Sequence, residues 1–457
     1  MTAENPTLNI AERVCPIKYA DLDRDAVAMV KRLIADGIAV AIAGSMEEPP
    51  RILADHVLTQ GGAARATVWG IGYKATAMRA AYVNAASMHV LDFEPMSNPP
   101  THAVSPTVPV AFALAETRHS DGREIIAACA KGFEMQGRVL AAADPKRGSL
   151  PFHTPGVIGV MGSTVAAAHM MQLNPQQLAH AFGVAASRCG GLSANTGSMV
   201  KCTHCANAAA AGLEAAALAA RGFTAHPSIF DAPRGYVETF FPTHFDYDVL
   251  MQYGKPYRFV DPGMAIKFYP SKYPTHFAIA AALEARADVG NAGGVADIRS
   301  VRIVTPEIAD ANRSKPRNGL EGKFSFQYVA AAALLDGVVD SKTFTDERRF
   351  SADMVALLDK IAVEQDPNIP KDTRRMHLVI DVTLSDGTVI SRTCRKTPGA
   401  WGEPIPDQLH RAKIHDCLAT RLAEPTLSRV IDMLDHLERL ATPDVADLCA
   451  LLACKSE

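Results

Sequence analysis

The first 260 residues or so of this chain place apolar side chains at helical spacing, and many interior positions are alanine or glycine. Apolar residues that recur every three to four positions indicate amphipathic helices. Small side chains let helix axes approach closely, so we expect a compact helical array here and not a sheet. The helical pattern covers residues 25–43, 76–90, 121–143, 163–173, 175–187 and 206–220.

A different pattern begins after a stretch rich in proline, glycine and aromatic residues at 256–274. Segments with alternating apolar positions now mix with helical ones, and Asp386-Gly387 between two such segments is a strong β-hairpin signal. This mixture predicts a smaller α+β domain. Strands are predicted at 298–305, 377–384 and 388–394, and helices at 276–287, 326–335 and 351–361.

The last part of the chain returns to helices, with amphipathic patterns at 407–422, 427–440 and 443–452. At 457 residues the chain exceeds what one hydrophobic core usually organises. The predicted fold class is therefore mainly α, with a large all-helical domain and an inserted smaller α+β domain. The predicted boundaries are 1–264 and 399–457 for the helical domain and 265–398 for the α+β domain.

Composition narrows the class of partner. The net charge is −3, so no overall positive field attracts nucleic acid. The first residues include Glu4 and Glu12 and do not resemble a signal peptide, and no apolar run is long enough to span a bilayer. We expect a cytoplasmic protein that binds a small molecule and neither nucleic acid nor a membrane.

Nine cysteines, an odd number, are scattered along the chain, which favours free thiols over a disulfide framework. Cys202 and Cys205 have the C-x-x-C spacing that metal and redox sites use. A structural zinc site needs four ligands, however, and no second pair follows them. We therefore interpret both as packing residues at a helix start, and predict no metal.

Lys201 lies at an unusual place for a lysine, because a loop of small residues, Asn195 to Met199, leads through it into an alanine-rich helical run. The helix dipole disfavours a cation at this end and attracts anions. Lys201 is then either a base beside a bound carboxylate or an ordinary solvated lysine.

Several histidines lie in loops that precede helices, namely His102, His153 and His276, while His89 precedes Asp92 by three residues. Each taken singly is more often a structural histidine whose ring satisfies a backbone group. Together with Lys201, however, such loops present backbone amides and cationic side chains to one space. This arrangement suits a ligand with several negative charges.

These residues occur in an ordered set of motifs that resembles the MmgE/PrpD family across nearly the whole chain. The resemblance implies a dimeric enzyme with a helical domain and a smaller α+β domain, of a family that includes 2-methylcitrate dehydratases, cis-aconitate decarboxylases and an iminodisuccinate epimerase. The motifs are His89-x-x-Asp92-Phe, His102, Phe152-His153-x-Pro, Gly162-Ser-x-x-Ala-Ala-Ala, Gly197-Ser-Met-x-Lys201-x-x-His204, Tyr269-Pro-x5-His276 and Lys323-Phe-Ser-x-Gln-Tyr328.

Carried over by position, the resemblance implies four catalytic residues and several that bind substrate. For Tyr328 the alternative is a buried helix tyrosine whose hydroxyl satisfies only a local partner. The chain departs from the decarboxylases after Asp92, where Glu94-Pro95-Met96 replaces an acidic pair and a threonine. The implied catalytic residues are Asp92, His102, His153 and Lys201, and the implied substrate-binding residues are His204, Lys272, His276 and Tyr328.

The reactions of this family share proton transfer next to a carboxylate and an enolate-like intermediate, which donors and cations stabilise. No glycine-rich nucleotide loop is found, so we expect no cofactor. We interpret His153 and Lys201 as the proton-transfer pair, in which either residue is the base, and His102 as a carboxylate binder or acid. Asp92 then orients His102 or Lys201.

Three functions remain open from the sequence. The first is a lyase, either dehydratase or decarboxylase, that acts on a citrate- or aconitate-like polycarboxylate. The second is a racemase or epimerase that uses the same proton abstraction. The third is a carboxylate-binding protein without catalysis, which the departure at Glu94-Pro95-Met96 motivates.

Overall fold

The structure is a computed structural model that describes residues 5–146, 150–292 and 294–454. Its helices are α1 (Pro6–Val14), α2 (Arg24–Gly44), α3 (Glu48–Thr59), α4 (Ala77–Val90), α5 (Val104–Arg118), α6 (Gly122–Ala143), α7 (Thr154–Val157), α8 (Gly159–Met171), α9 (Pro175–Ala186), α10 (Val200–Ala219), α11 (Tyr236–Phe240), α12 (Tyr247–Met251), α13 (Thr275–Asn291), α14 (Gly319–Gly322), α15 (Phe326–Asp336), α16 (Asp346–Arg349), α17 (Ala352–Leu358), α18 (Asp407–Ala419), α19 (Thr426–Asp435) and α20 (Thr442–Leu452). The strands are β1 (Ala66–Val68), β2 (Tyr73–Ala75), β3 (Ile298–Thr305), β4 (Ile361–Gln365), β5 (Leu378–Leu384) and β6 (Val389–Cys394).

The chain divides into two compact units. Within the described residues, the first unit comprises 5–90, 94–146, 150–266 and 407–454, and the second comprises 91–93, 267–292 and 294–406. The prediction of a mainly α protein is confirmed. That the second unit is a domain inserted into the first, with the boundaries given above, stays a prediction. Among the described helices, none combines the length and the apolar character that a bilayer span requires.

The first unit is built on helices that approach one another through glycine. α10 packs on α8 and α4, and α8 packs on α6. A Cβ atom on Gly212 of α10 would lie 2.5 Å from the Cβ atom of Ser163 on α8, and one on Gly132 of α6 would lie 2.8 Å from the carbonyl oxygen of Gly162. Contacts this short leave no room for a methyl group. The small residues therefore set the spacing of the helices that carry the candidate site.

The second unit contains a four-stranded sheet in the order β4-β3-β5-β6. β3 pairs in parallel with β4 and antiparallel with β5, which forms the predicted hairpin with β6. Alternate residues of β5, Leu378, Ile380, Val382 and Leu384, are buried. α13 packs against β5, β6 and α15. The alternation of apolar residues thus faces the helices, as expected for a sheet with one covered face.

Among the helices that the sequence did not predict, α3 and α5 contain proline. Pro49 and Pro50 occupy the first turn of α3, where the missing amide has no intrahelical partner in any case. Pro109 lies inside α5, a position that normally breaks a helix. Residues 104–113 of α5 are almost completely buried, so tertiary packing outweighs the local preference.

Strands account for two corrections. The prediction of an all-helical first domain is wrong, because β1 and β2 form an antiparallel ribbon in the first unit. Three-residue strands are too short to show a period in the sequence. In the second unit the helix predicted to end at 361 ends at Leu358, and Ile361 instead pairs with Val301 at the start of β4.

A buried ionic cluster joins α18 to α2 in the first unit. Both carboxylate oxygens of Asp36 accept hydrogen bonds from the Lys413 ammonium, at 2.8 and 2.9 Å, and His410 Nε2 lies 3.0 Å from Oδ2. Asp36 is fully buried, and His410 and Lys413 are 4% and 6% exposed. The cluster therefore ties the C-terminal helices to the long N-terminal one.

We expect Asp36→Ala to destabilise the first unit by about 3–5 kcal/mol, because the buried Lys413 ammonium loses the carboxylate that compensates its charge. The measurement is the shift of the urea unfolding midpoint. Asp407→Ala is the matched control. Asp407 of α18 pairs with Arg32 of α2 at the surface, and the Asp407 side chain is 75% exposed. That variant should lose less than about 1 kcal/mol. Equal losses would contradict the role given to the buried cluster.

Candidate active site

A buried carboxylate, Glu94, organises the polar cluster of the first unit. His89, in the last turn of α4, places Nδ1 2.5 Å from Glu94 Oε1. Ser105, in the first turn of α5, donates its hydroxyl to the same oxygen at 2.7 Å. His102 Nδ1 lies 3.0 Å from Oε1 as well. One carboxylate oxygen thus fixes side chains from the end of one helix and the start of the next.

Lys201 extends this cluster through His89. Its Nζ lies 3.1 Å from His89 Nε2, and the lysine is only 9% exposed. An ionised carboxylate can only accept, so the His89 proton lies on Nδ1 and Nε2 is left as an acceptor for the lysine. The result is a chain of hydrogen bonds from Lys201 through His89 to Glu94. Lys201 lies in the first turn of α10, which begins at Val200 and not at 206 as predicted.

A pair of histidines lies next to this chain. His153 Nδ1 and His204 Nδ1 are 3.0 Å apart, and the His153 ring centre lies 5.4 Å from that of His89. His153 directly precedes α7, whereas His204 follows Lys201 by one turn on α10. The His153 amide donates to the Gly191 carbonyl oxygen at 2.9 Å. A Cβ atom on Gly191 would lie 3.1 Å from the His204 ring, so this close approach favours glycine.

Burial and the lysine charge keep three of these rings neutral. Burial, then Lys201, lowers the pKa of His89 to about 3. The same two causes lower the pKa of His204, and hold that of His153 well below its usual range together with the neighbouring histidines. Burial alone would raise the pKa of Glu94, but His102 and His89 outweigh it and hold that pKa well below its usual range. Glu94 is therefore the anion of the cluster.

The cluster is better suited to an anionic ligand than to a metal. Ring nitrogens of His89, His102 and His153 lie within 4.8 Å of one another, a spacing that a metal ion can bridge. Both nitrogens of His89 are engaged, however, with Glu94 and Lys201. The Lys201 ammonium, which lies 3.1 Å from His89 Nε2, also repels a metal cation. The same ammonium attracts a carboxylate.

The other implied catalytic residue, Asp92, belongs to the second unit. Its backbone is left-handed, with φ at 52°. Its Oδ1 accepts a hydrogen bond from Lys267 Nζ at 2.7 Å, and the same ammonium donates to the carbonyl oxygens of Asp92 and Ser271. Lys267 is completely buried. The Asp92 carboxylate thus pairs with Lys267 within the second unit, and its role toward His102 or Lys201 stays a prediction.

The remaining implied residues of the second unit have local partners. His276 Nε2 lies 3.2 Å from the carbonyl oxygen of Ser271, and Lys272 forms an ion pair with Asp310. The Tyr328 hydroxyl donates to the Thr343 carbonyl oxygen at 2.5 Å, and Tyr328 is completely buried. This contact favours the structural alternative for Tyr328.

Sequence reasoning missed two charged residues of these clusters. Glu94 was noted only as a departure from the family pattern, although it contacts three side chains. Lys267 was not noted at all. Each stands between apolar or aromatic neighbours, as Phe93-Glu94-Pro95 and Ile266-Lys267-Phe268. A charged residue in such a setting is almost never buried without a partner, and this signal could have found both.

We expect folding stability to fall as the pH drops below about 6.5, the ordinary pKa of histidine. Because the folded-state pKa values of His89, His153 and His204 are lowered, the unfolded chain binds more protons below that pH. The stabilisation is present above it and is lost toward the folded-state values. His153→Gln should make the urea midpoint fall less steeply between pH 6.5 and 4.5, while both curves run parallel between pH 7 and 8. An unchanged slope would contradict a neutral His153.

Comparison with known proteins identifies the family. The model of the MmgE/PrpD N-terminal domain matches residues 8–248, and that of the C-terminal domain matches residues 269–439. The chain is similar to the cis-aconitate decarboxylases of Mus musculus and Homo sapiens, each 28% identical over 454 residues, which cover 96% of this chain and 92% and 93% of theirs. It is also similar to the cis-aconitate decarboxylase of Aspergillus terreus, 24% identical over 464 residues, which cover 95% of this chain and 93% of that protein.

These matches confirm the resemblance inferred from the motifs, and they identify an enzyme of the lyase type. The family models account for most of the chain. The chain therefore belongs to the MmgE/PrpD family.

Proposed function

We propose that this enzyme removes carbon dioxide from cis-aconitate or a closely similar unsaturated tricarboxylate, without a metal or an organic cofactor. The observation that carries the proposal is the buried chain from Glu94 through His89 to Lys201, with His102 and His153 beside it. The names of the similar proteins support the choice of decarboxylation and of the acid.

The chemistry requires a group that accepts negative charge. When the bond between the leaving carboxylate and its carbon breaks, carbon dioxide departs and the electron pair stays on the substrate. The unsaturated acid takes this pair up as an enolate-like anion, and a proton is then added at carbon. Preorganised donors that meet the developing charge each contribute about 3–4 kcal/mol in comparable enzymes.

Each residue of the cluster has a role in this scheme. Lys201 supplies the positive charge that binds a substrate carboxylate and stabilises the anion formed from it. His102 donates a hydrogen bond to a second carboxylate. His153 delivers the proton to carbon, since both nitrogens of His89 are engaged with Glu94 and Lys201 and His102 Nδ1 faces Glu94. Glu94 acts through His89 and His102 by fixing their orientation, and is a positioning residue.

Several properties expected from the sequence stay predictions. The roles of Asp92, Lys272, His276 and Tyr328 rest on the motif resemblance alone. A homodimer and a cytoplasmic location also remain expectations. The departure at Glu94-Pro95-Met96 motivated a carboxylate-binding protein without catalysis, but the similarity to cis-aconitate decarboxylases supports an enzyme instead.

The test is a panel of acids with three readouts. Purified protein is incubated with cis-aconitate, citrate, 2-methylcitrate and a chiral dicarboxylate in heavy water. We expect one carbon dioxide per cis-aconitate consumed. Ultraviolet absorbance from a new double bond without carbon dioxide would establish a dehydratase instead, and deuterium incorporation with inversion alone would establish an epimerase. Thermal stabilisation by an acid that gives no product would establish a binding protein.

We expect Lys201→Met to lower kcat by about 10²–10³-fold, because the charge that meets the developing anion is lost. The measurement is the rate of carbon dioxide release under saturating substrate.

Lys131→Met is the matched control. Lys131 is also buried in the first unit, at 1% exposure, and its Nζ lies 3.1 Å from a histidine nitrogen, His169 Nδ1. This variant should lose stability and keep its turnover. If both variants lose turnover equally, the loss reflects a buried lysine in general and not the role proposed for Lys201.

A further inference from the structure

Decarboxylation consumes a proton in every turnover, and this proton has to come from solvent. The leaving group takes no proton with it, while the carbon of the enolate-like anion gains one. A substrate that is fully ionised at neutral pH brings none of its own. The acid that protonates carbon must therefore be reloaded each time, so a proton route is part of the proposed function, on which this inference rests.

The series of hydrogen bonds from Glu94 through His89 to Lys201 is poorly placed for such a route. Glu94 and His89 are 0% and 1% exposed. The proton on His89 Nδ1 is held by the Glu94 carboxylate at 2.5 Å. Moving that proton toward the lysine would leave an imidazolate beside a carboxylate, which burial makes costly. The route from solvent is therefore expected elsewhere.

His153 lies next to a second histidine, His204. The two Nδ1 atoms of His153 and His204 lie 3.0 Å apart, which is hydrogen-bond distance. Imidazole carries a proton on one nitrogen and accepts on the other, so a proton can enter such a pair at one end and leave at the other.

His204 also lines an open cleft in the first unit. The cleft has a volume of about 590 Å³, and polar residues make up much of its wall. Arg79, Asn195 and Asn207 lie there together with His204, and Arg188 and Glu214 form an ion pair beside them. A polar space of this size holds water that can exchange protons with the ring. His204, which is 5% exposed, thus lies between this cleft and His153.

We propose that His204 is a proton-relay residue, which passes protons from water in this cleft to His153. In each turnover one proton enters at His204, one crosses the hydrogen bond between the two Nδ1 atoms, and one leaves His153 for the substrate carbon. The balance is one proton taken from solvent and one new bond between carbon and hydrogen. Both imidazoles begin and end neutral, but each ends with its proton on the other nitrogen, so rotation of the rings restores the starting tautomers before the next turnover.

The charges around the pair favour passing the proton on over storing it. Lys201 faces both rings, and Arg79 and Arg188 line the cleft beside His204. Glu214, the carboxylate among the described residues that line this cleft, is paired with Arg188. Burial and Lys201 lower the pKa values of both histidines. A neutral His153 is a weak acid unless its proton is replaced as it leaves, and His204 supplies that replacement.

The experiment measures turnover of His204→Ala and His204→Gln at low buffer concentration. We expect kcat to fall by about 10²-fold while KM stays near the wild-type value, because the relay acts on proton supply and not on binding. Added imidazole should restore kcat of His204→Ala in a saturable way. His204→Gln keeps the size of the side chain and should show a larger solvent deuterium isotope effect on kcat than the wild type.

The control is Asn207→Ala. Asn207 lies one turn beyond His204, lines the same cleft and carries no titratable group, so this variant should behave as the wild type. Variants of His204 that lose kcat without any response to imidazole or buffer would overturn the relay and leave decarboxylation standing. A wild-type enzyme that releases no carbon dioxide from any acid would overturn the proposed function and the relay with it.

Discussion

The hydrogen bond between Glu94 and His89 is the contact on which the candidate site depends. A carboxylate with no exposed surface is stable only when other groups compensate its charge. Here the compensation comes from hydrogen bonds and from a lysine that lies one imidazole away. Since His89 is neutral, it transmits the attraction between Glu94 and Lys201 and still keeps the two charges apart. His89 thereby orients the lysine ammonium.

Small residues make this arrangement reachable. His89, Ser105 and Lys201 sit at the ends of three different helices, and their side chains meet only if those helices and their neighbours pack closely. Gly132 and Gly162 let α6 and α8 cross with almost no gap, and Gly212 does the same for α10 on α8. Adding a methyl group at such a crossing moves a helix, and with it one end of the cluster. The alanine and glycine content that predicted the fold is therefore also a condition for the site.

The sequence predicted the residue types of the site better than their contacts. His102, His153, Lys201 and His204 were found by their position before helices or by motif resemblance, and the structure brings all four into one cluster of the first unit. Glu94 was not predicted as a site residue, because its partners lie five residues before it and eight and eleven residues after it. These partners belong to the end of α4, to the loop before α5 and to the first turn of α5, whose start proline obscures in the sequence. Helix periodicity cannot show a contact of this kind. Proline within α5 also prevented the prediction of that helix.

A comparison of two buried lysines shows why residue type alone could not decide the role of Lys201. Lys131 also contacts a histidine, His169, which in turn lies 3.1 Å from a carboxylate, Glu124. Its ammonium, however, donates to the carbonyl oxygens of Cys15 and Ile17 as well as to His169, and so has an acceptor within the protein for each of its three protons. That geometry holds the backbone at Cys15 and Ile17 in place. Lys201 instead adjoins three histidines of low pKa, where its charge makes any proton on them short-lived. Chemistry at this site therefore follows from what surrounds the lysine.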